Sequence, residues 1–316
     1  MNKIVAVILA AGKGTRMHPF SDYYPKPGLP ICNKPLIQYS IEVFRDLGIT
    51  DIYIVIGHLG HELAQVLGNG SALGVRIRYV EQTKILGIAS ALGQLEPYIS
   101  TPIFMVLGDI FFKAENLGGM LEMMAAKNAS AVLAVKHETD PAAIRRNFTV
   151  QQDETGRVRR VIEKPRHVQT TVKGCGLYLF DLPVFDAIRR TPRTAMRDEY
   201  EITDTIQIMV DDGLPVLMAD VVKWDVNLTS PADVLTCNLF ELEQRGLARL
   251  VGRDAHVHPG ARLTNVVVGD RAAIEHPISM SNCVVFPDTI VTSERDLDQF
   301  IFTPEIRIDC RTFTRD

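Results

Sequence analysis

A chain of 316 residues, 46% hydrophobic and 23% charged, holds enough apolar material for one large or two modest globular domains. Its net charge of −4 argues against a nucleic-acid binder held by a broad basic surface, so an anionic ligand must meet a local positive site. The five cysteines are scattered, odd in number and never in a Cys-x-x-Cys pair, which speaks against a disulfide framework or zinc site and for a reducing, cytoplasmic setting.

Lys3 and the apolar run 4–10 imitate the start of a signal peptide, but the run is at the short end for one and a glycine turn follows at once. No stretch approaches the ~18 apolar residues of a membrane span. The run has the pattern of a strand buried on both faces of a parallel sheet. It stops at Gly12-Lys13-Gly14-Thr15-Arg16, and Lys26 follows between Pro25 and Pro27. Glycines there let backbone N–H groups approach phosphate oxygens. Arg16 can fork onto two such oxygens, while Lys26 acts as a compact point charge. This is a polyphosphate cradle at a strand end. A dinucleotide-binding turn would carry a third glycine opening a helix, where this chain has Thr15-Arg16 and a Pro-rich loop.

Periodicity predicts a helix over 36–47 closed by Gly48, a strand over 51–57, a helix over 59–67, a turn at 68–70, a strand over 76–80 and a helix over 88–95. A buried strand over 102–109 ends in Asp109. Strands alternating with helices imply a doubly wound, Rossmann-like α/β sheet, whose ligands lie beyond the carboxyl ends of the strands. Gly12–Arg16 and Asp109 fall there. Further on come a strand over 131–135 and a hairpin, with Asp153-Glu154-Thr155-Gly156 joining 148–152 to 158–162. A strand over 177–180 precedes a helix over 204–212 capped by Thr203 or Asp204. Strands over 216–220 and 221–226 and a helix over 231–245 complete this part.

After Gly246, apolar residues recur at roughly six-residue intervals, as in the hexapeptide repeat of β-helices, with Glu275-His276-Pro277 interrupting. The expected division is a domain over 1–246 and a short left-handed β-helix-like segment over 247–316. That segment is expected to make subunit contacts in a homo-oligomer, because a short stacked coil leaves open ends.

Gly12-Lys13-Gly14-Thr15-Arg16 with Pro19, then Pro25-Lys26-Pro27 and Asn33-Lys34-Pro35, closely resembles the signature of sugar-1-phosphate nucleotidylyltransferases. The likeness runs through about the first 245 residues. It implies attack of a sugar-1-phosphate oxygen on the α-phosphorus of a nucleoside triphosphate, UTP or dTTP, releasing pyrophosphate with the help of Mg²⁺. No protein nucleophile is required: the protein aligns two polyanions and neutralises charge.

The resemblance assigns Arg16 and Lys26 to the triphosphate as catalytic groups, with Leu9, Ala11, Gly12, Gly14 and Thr15 around the nucleotide. Asp109 matches the first metal ligand and Asp225, in Trp224-Asp225-Val226-Asn227, the second; Asn227 is at most a support. Gln82 and Gly87 would read the base, since a glutamine amide both donates and accepts. Glu163, Lys164 and Gly174 would hold the sugar phosphate, with the glycines near 174 leaving room for a ring. One departure stands out. Where the family has Tyr-Gly, this chain has Asn147-Phe148, and a phenylalanine there would crowd or stack on the ligand. The same chemistry on another phosphorylated polyol, an alcohol phosphate or a phosphonate, or with a different NTP, is an alternative, as is a non-catalytic paralogue that binds nucleotide-sugars.

Overall fold

The computed structural model describes residues 3–195 and 198–313, which form two compact units. The first takes the described residues up to Gly12 together with Ser40–Asp225; the second takes Lys13–Tyr39 and the described residues from Val226 onward.

The first unit is built on a seven-stranded sheet in the order Val216–Asp220, Ala131–His137, Val172–Phe180, Ile103–Leu107, Val5–Ala10, Asp51–Ile56, Arg76–Glu81. Val5–Ala10 runs parallel to both of its neighbours, and Ala6, Val7 and Ile8 are fully buried, as its unbroken apolar run requires. Val172–Phe180 is antiparallel to both of its neighbours, so the sheet is mixed. From the first strand the chain builds outward to Arg76–Glu81, then returns to place Ile103–Leu107 on the other side. The gap between those two directions is the switch point at which such sheets bind ligands. It falls between the ends of Val5–Ala10 and Ile103–Leu107.

Expected elements are present within a few residues, with instructive differences. The strand expected over 177–180 runs from Val172 to Phe180, with an irregular register between Gly174 and Tyr178. Gly176 there has φ 67°, and a bulge of this kind hides the alternation that marks a longer strand. The helix Ile202–Asp211 starts after Glu201, and no side chain caps it. Thr203 and Asp204 thus lie inside the first turn, because the Thr203 hydroxyl is turned instead toward Glu163 Oε2, 3.5 Å away.

In the second unit, the segment Lys13–Tyr39 packs with the C-terminal strands. Those strands stack in parallel with a constant offset of 17 residues: Arg249–Val251 on 266–268, Arg262–Val268 on 279–285, and His256–Val257 on 273–274 on 290–291. The coil is one residue short of three hexapeptides, which is why the sequence shows the repeat only approximately. The pairing passes through Glu275-His276-Pro277 without losing register, since Arg262 still faces Ser279. Side-chain ladders follow the same step, with Arg253 on Asp270 at 2.8 Å and Arg271 on Asp288 at 2.6 Å. The last strand, Arg307–Asp309, turns antiparallel onto Phe300–Phe302, and Arg307 lies over both phenyl rings. This covers one edge of the stack.

Candidate active site

In the first unit the residues singled out from sequence gather at the carboxyl edge of the sheet. Leu9 and Ala11 close the first strand, and the backbone is crowded on both sides of it. A Cβ on Gly57 would lie 2.5 Å from Ala11 O, and one on Gly108 would lie 2.9 Å from Leu9 O. Glycine at both positions lets three strand ends converge. Gly12 itself is exposed and unobstructed.

Gln82 directly follows Arg76–Glu81, and its N–H donates to Ile56 O at 2.8 Å. Its side chain is buried, and Nε2 has no hydrogen-bond partner among the described residues. An unsatisfied buried amide is costly unless a ligand supplies the missing acceptor. Gly87 lies five residues on with φ 101°; its loop is tied to Tyr200, whose N–H donates to Leu86 O at 2.7 Å and whose O accepts from Ala89 N at 3.0 Å. A Cβ on Gly87 would meet Tyr200 O at 2.6 Å. Gly87→Ala is therefore expected to lose about 2 kcal/mol or more of stability, read as a lower melting temperature, together with a raised KM for nucleotide.

Asp109 stands in the turn between Ile103–Leu107 and Ile110–Ala114. The latter pairs with Val222–Asn227. Glu115 N donates to Val221 O, and the Phe111 ring meets Trp224 edge-on at 5.8 Å, so these strands run antiparallel. That pairing places Asp109 and Asp225 on adjacent strands.

Asp225 has company that the sequence reading did not supply. Lys173 Nζ donates to its Oδ2 at 2.5 Å, and Lys136 Nζ lies 3.0 Å from Oδ1. Lys136 also pairs with Glu138 at 2.9 Å. Burial draws the Lys136 pKa down, but the negative charges of Asp225 and Glu138 outweigh it, and the net shift is upward. Lys136 closes the apolar run 131–135 much as Asp109 closes its own, and that is the signal the sequence offers for it. Lys173 has none.

The Lys136 contact lies off the hydrogen-bond direction, so Asp225 Oδ1 is buried without a hydrogen bond. A hard oxygen in that state fits Mg²⁺, which protein sites commonly hold through one or two carboxylates plus substrate phosphates. Among the described residues no cluster of three or more His, Cys, Asp or Glu forms a closed cage.

Glu163 ends the strand Val158–Glu163. Lys164 then turns into the left-handed region at φ 41°, which brings its Nζ to 3.8 Å from Glu163 Oε1 instead of to the opposite face. Opposite Glu163 in the hairpin is Phe148. Phe148 is buried, stacks on Tyr178 with ring centroids 5.8 Å apart, and lies flat against Gly174: a Cβ there would sit 2.0 Å from the ring. The room that Gly174 leaves is filled by the protein's own phenyl ring.

The second unit carries Gly14, Thr15, Arg16 and Lys26. Gly14 has φ 62°, its O accepts from Met17 N at 2.7 Å, and the Lys26 side chain packs over it, with Cδ 3.5 Å from where a Cβ would be. Thr15 and Arg16 are exposed on the turn. Beyond Lys26, Cys32 and Asn33 both have positive φ and form a tight hairpin turn joining Pro30–Ile31 to Lys34–Pro35.

Comparison with known proteins reads the same residues at the level of families. The sequence pattern of the nucleotidyl transferase family matches residues 5–226. The chain belongs to the nucleotidyl transferase family. It is 34% identical over 246 residues to the low-salt glycan biosynthesis nucleotidyltransferase Agl11 of Haloferax volcanii, covering 77% of this chain and 67% of that one. It is 30% identical over 300 residues to glucose-1-phosphate thymidylyltransferase of Streptomyces antibioticus, covering 90% and 82%. A Bacillus anthracis structure assigned as a glucose-1-phosphate thymidylyltransferase superposes with a TM-score of 0.68 at 26% identity, over 75% of this chain and 94% of the other. As a nucleotidyl transferase the chain is an enzyme, and none of its described helices is long and apolar enough to cross a membrane.

Proposed function

We propose that this nucleotidyl transferase condenses a pyrimidine nucleoside triphosphate, UTP or dTTP, with a sugar-1-phosphate in a Mg²⁺-dependent reaction. The observation that carries the nucleotide half is Gln82 Nε2, a buried donor without a partner at the strand end nearest Gly87. A pyrimidine carbonyl supplies the acceptor it lacks. An oxygen of the acceptor phosphate attacks the α-phosphorus, the new P–O bond forms as the α–β bridge breaks, and pyrophosphate leaves with the bonding pair. Arg16 and Lys26 bind the triphosphate and balance charge on the leaving group. Glu163 accepts from acceptor hydroxyls, and Lys164 meets the acceptor phosphate. Asp109 and Asp225 would hold Mg²⁺, which supplies further charge neutralisation at the phosphates. All five cysteines are buried thiols outside any disulfide, which supports a cytoplasmic setting, and the exposed Leu247 and Val251 beside the edge strand Arg249–Val251 support self-association through the C-terminal strands.

A second reading concerns the acceptor, and Phe148 favours it. Its ring occupies the space over Gly174 and beside Glu163, where a sugar ring would otherwise lie. A smaller phosphorylated alcohol or a phosphonate demands less of that space. Pyrophosphate release, measured with each NTP against hexose-1-phosphates and short phosphorylated alcohols, separates the two. Release with a hexose-1-phosphate supports the first; release only with small acceptors moves the conclusion to the second. On the second reading, Phe148→Gly gains at least about tenfold in kcat/KM for glucose-1-phosphate, the scale of a relieved steric block.

A further inference from the structure

Lys136 and Lys173 face each other across antiparallel strands, and both ammonium groups converge on Asp225. The Asp225 side chain is 0% exposed, that of Lys173 5% and that of Lys136 14%. One buried lysine would neutralise this carboxylate. The second needs Glu138, 2.9 Å from Lys136, to balance it. Two cations set against the oxygen atoms of an expected cation ligand exceed what folding asks for. Their geometry is also unequal. Lys173 makes a short hydrogen bond to Oδ2, whereas Lys136 approaches Oδ1 off-axis and leaves that oxygen without a hydrogen bond.

We propose that Lys136 and Lys173 are positioning residues that fix the Asp225 carboxylate so that it offers a divalent cation one oxygen, Oδ1, and holds it weakly. This rests on the reading of Asp225 as a metal ligand. A carboxylate free to turn can bind a cation through both oxygens. With Oδ2 committed to Lys173, only Oδ1 is left for a cation, in competition with the Lys136 ammonium 3.0 Å from it. Positive charge beside the ligand raises the cation's dissociation constant by repulsion, strongly so in a buried setting. A weak protein hold leaves substrate phosphates as the dominant ligands, which suits a reaction whose product must depart as pyrophosphate.

The test uses Mn²⁺ as the probe, titrated by electron paramagnetic resonance into full-length protein mixed with the α,β-methylene analogue of UTP. Lys173→Met and the less buried Lys136→Met are expected to bind Mn²⁺ at least tenfold more tightly than the unaltered protein while kcat falls. A merely structural role predicts weaker Mn²⁺ binding in step with a lower melting temperature, and that result, or unchanged affinity in a folded variant, overturns the proposal. If the unaltered protein binds Mn²⁺ and the variants do not differ from it, this inference alone fails; if the unaltered protein binds none, the metal reading fails with it. Should neither variant fold, a crystal structure of the unaltered protein with Mn²⁺ and the analogue decides. Mn²⁺ on Oδ1 with Lys173 still on Oδ2 supports the proposal, and a two-oxygen carboxylate or a withdrawn lysine overturns it.

Discussion

Cutting the chain after Gly246 is expected to abolish turnover, although every residue proposed to touch substrate lies before the cut. The segment bearing Arg16 and Lys26 belongs to the same compact unit as the C-terminal strands. Phe20 is fully buried and stacks on Phe286 with centroids 5.6 Å apart and planes 1° from parallel, and Tyr24 meets the same ring edge-on at 5.5 Å. The Tyr24 hydroxyl donates to Glu305 at 2.6 Å, and burial together with that hydrogen bond pushes its pKa well up. Asn33 Nδ2 donates to Val268 O at 2.8 Å. All of these partners lie beyond the cut. Phe286→Ala is a milder version and should remove about 3–5 kcal/mol of packing. Its expected signature is a lower melting temperature with a raised KM for NTP, and an unchanged KM would show that the loop holds its shape unaided. Light scattering on the truncated protein reads assembly in the same preparation: a smaller particle than the shortened chain alone explains is expected, and an unchanged association state counts against subunit contacts through this segment.

Asp109→Asn is expected to lower kcat by roughly 10³-fold with little change in melting temperature. The substitution keeps size, removes the charge and turns one acceptor oxygen into an N–H donor. Asp109 stands half-buried in the turn after Ile103–Leu107. Full activity in this variant would sink the assignment of Asp109 to the metal. A matching loss in Asp225→Asn would not separate roles as cleanly, because that change also strands two lysines.

The first unit was legible where local pattern and sheet physics agree. The unbroken apolar run 4–10 and the carboxylate at Asp109 mark the binding edge without further help. What the sequence hid was lateral. Lys136 and Lys173 become partners only through the pairing of strands 37 residues apart, and no spacing rule announces that they share Asp225. Phe148 and Gly174 are a similar case. Glycine at 174 reads as room for a ring, and the fold fills that room from a neighbouring strand. The 17-residue coil was blurred because its step is not a multiple of six.

The composition of the second unit bears on the order in which the protein is made. The chain leaves the first unit at Gly12, forms its proposed phosphate loop, and re-enters at Ser40. The surfaces on which that loop rests are synthesised last: Tyr24 waits for Glu305, 281 positions away. Closing so long an interval is entropically slow compared with forming local contacts. A nascent chain can complete its mixed seven-stranded sheet while the loop bearing Arg16 and Lys26 still lacks its support. Catalytic competence would then be conferred by the final quarter of translation, so chains that terminate early would be born inactive.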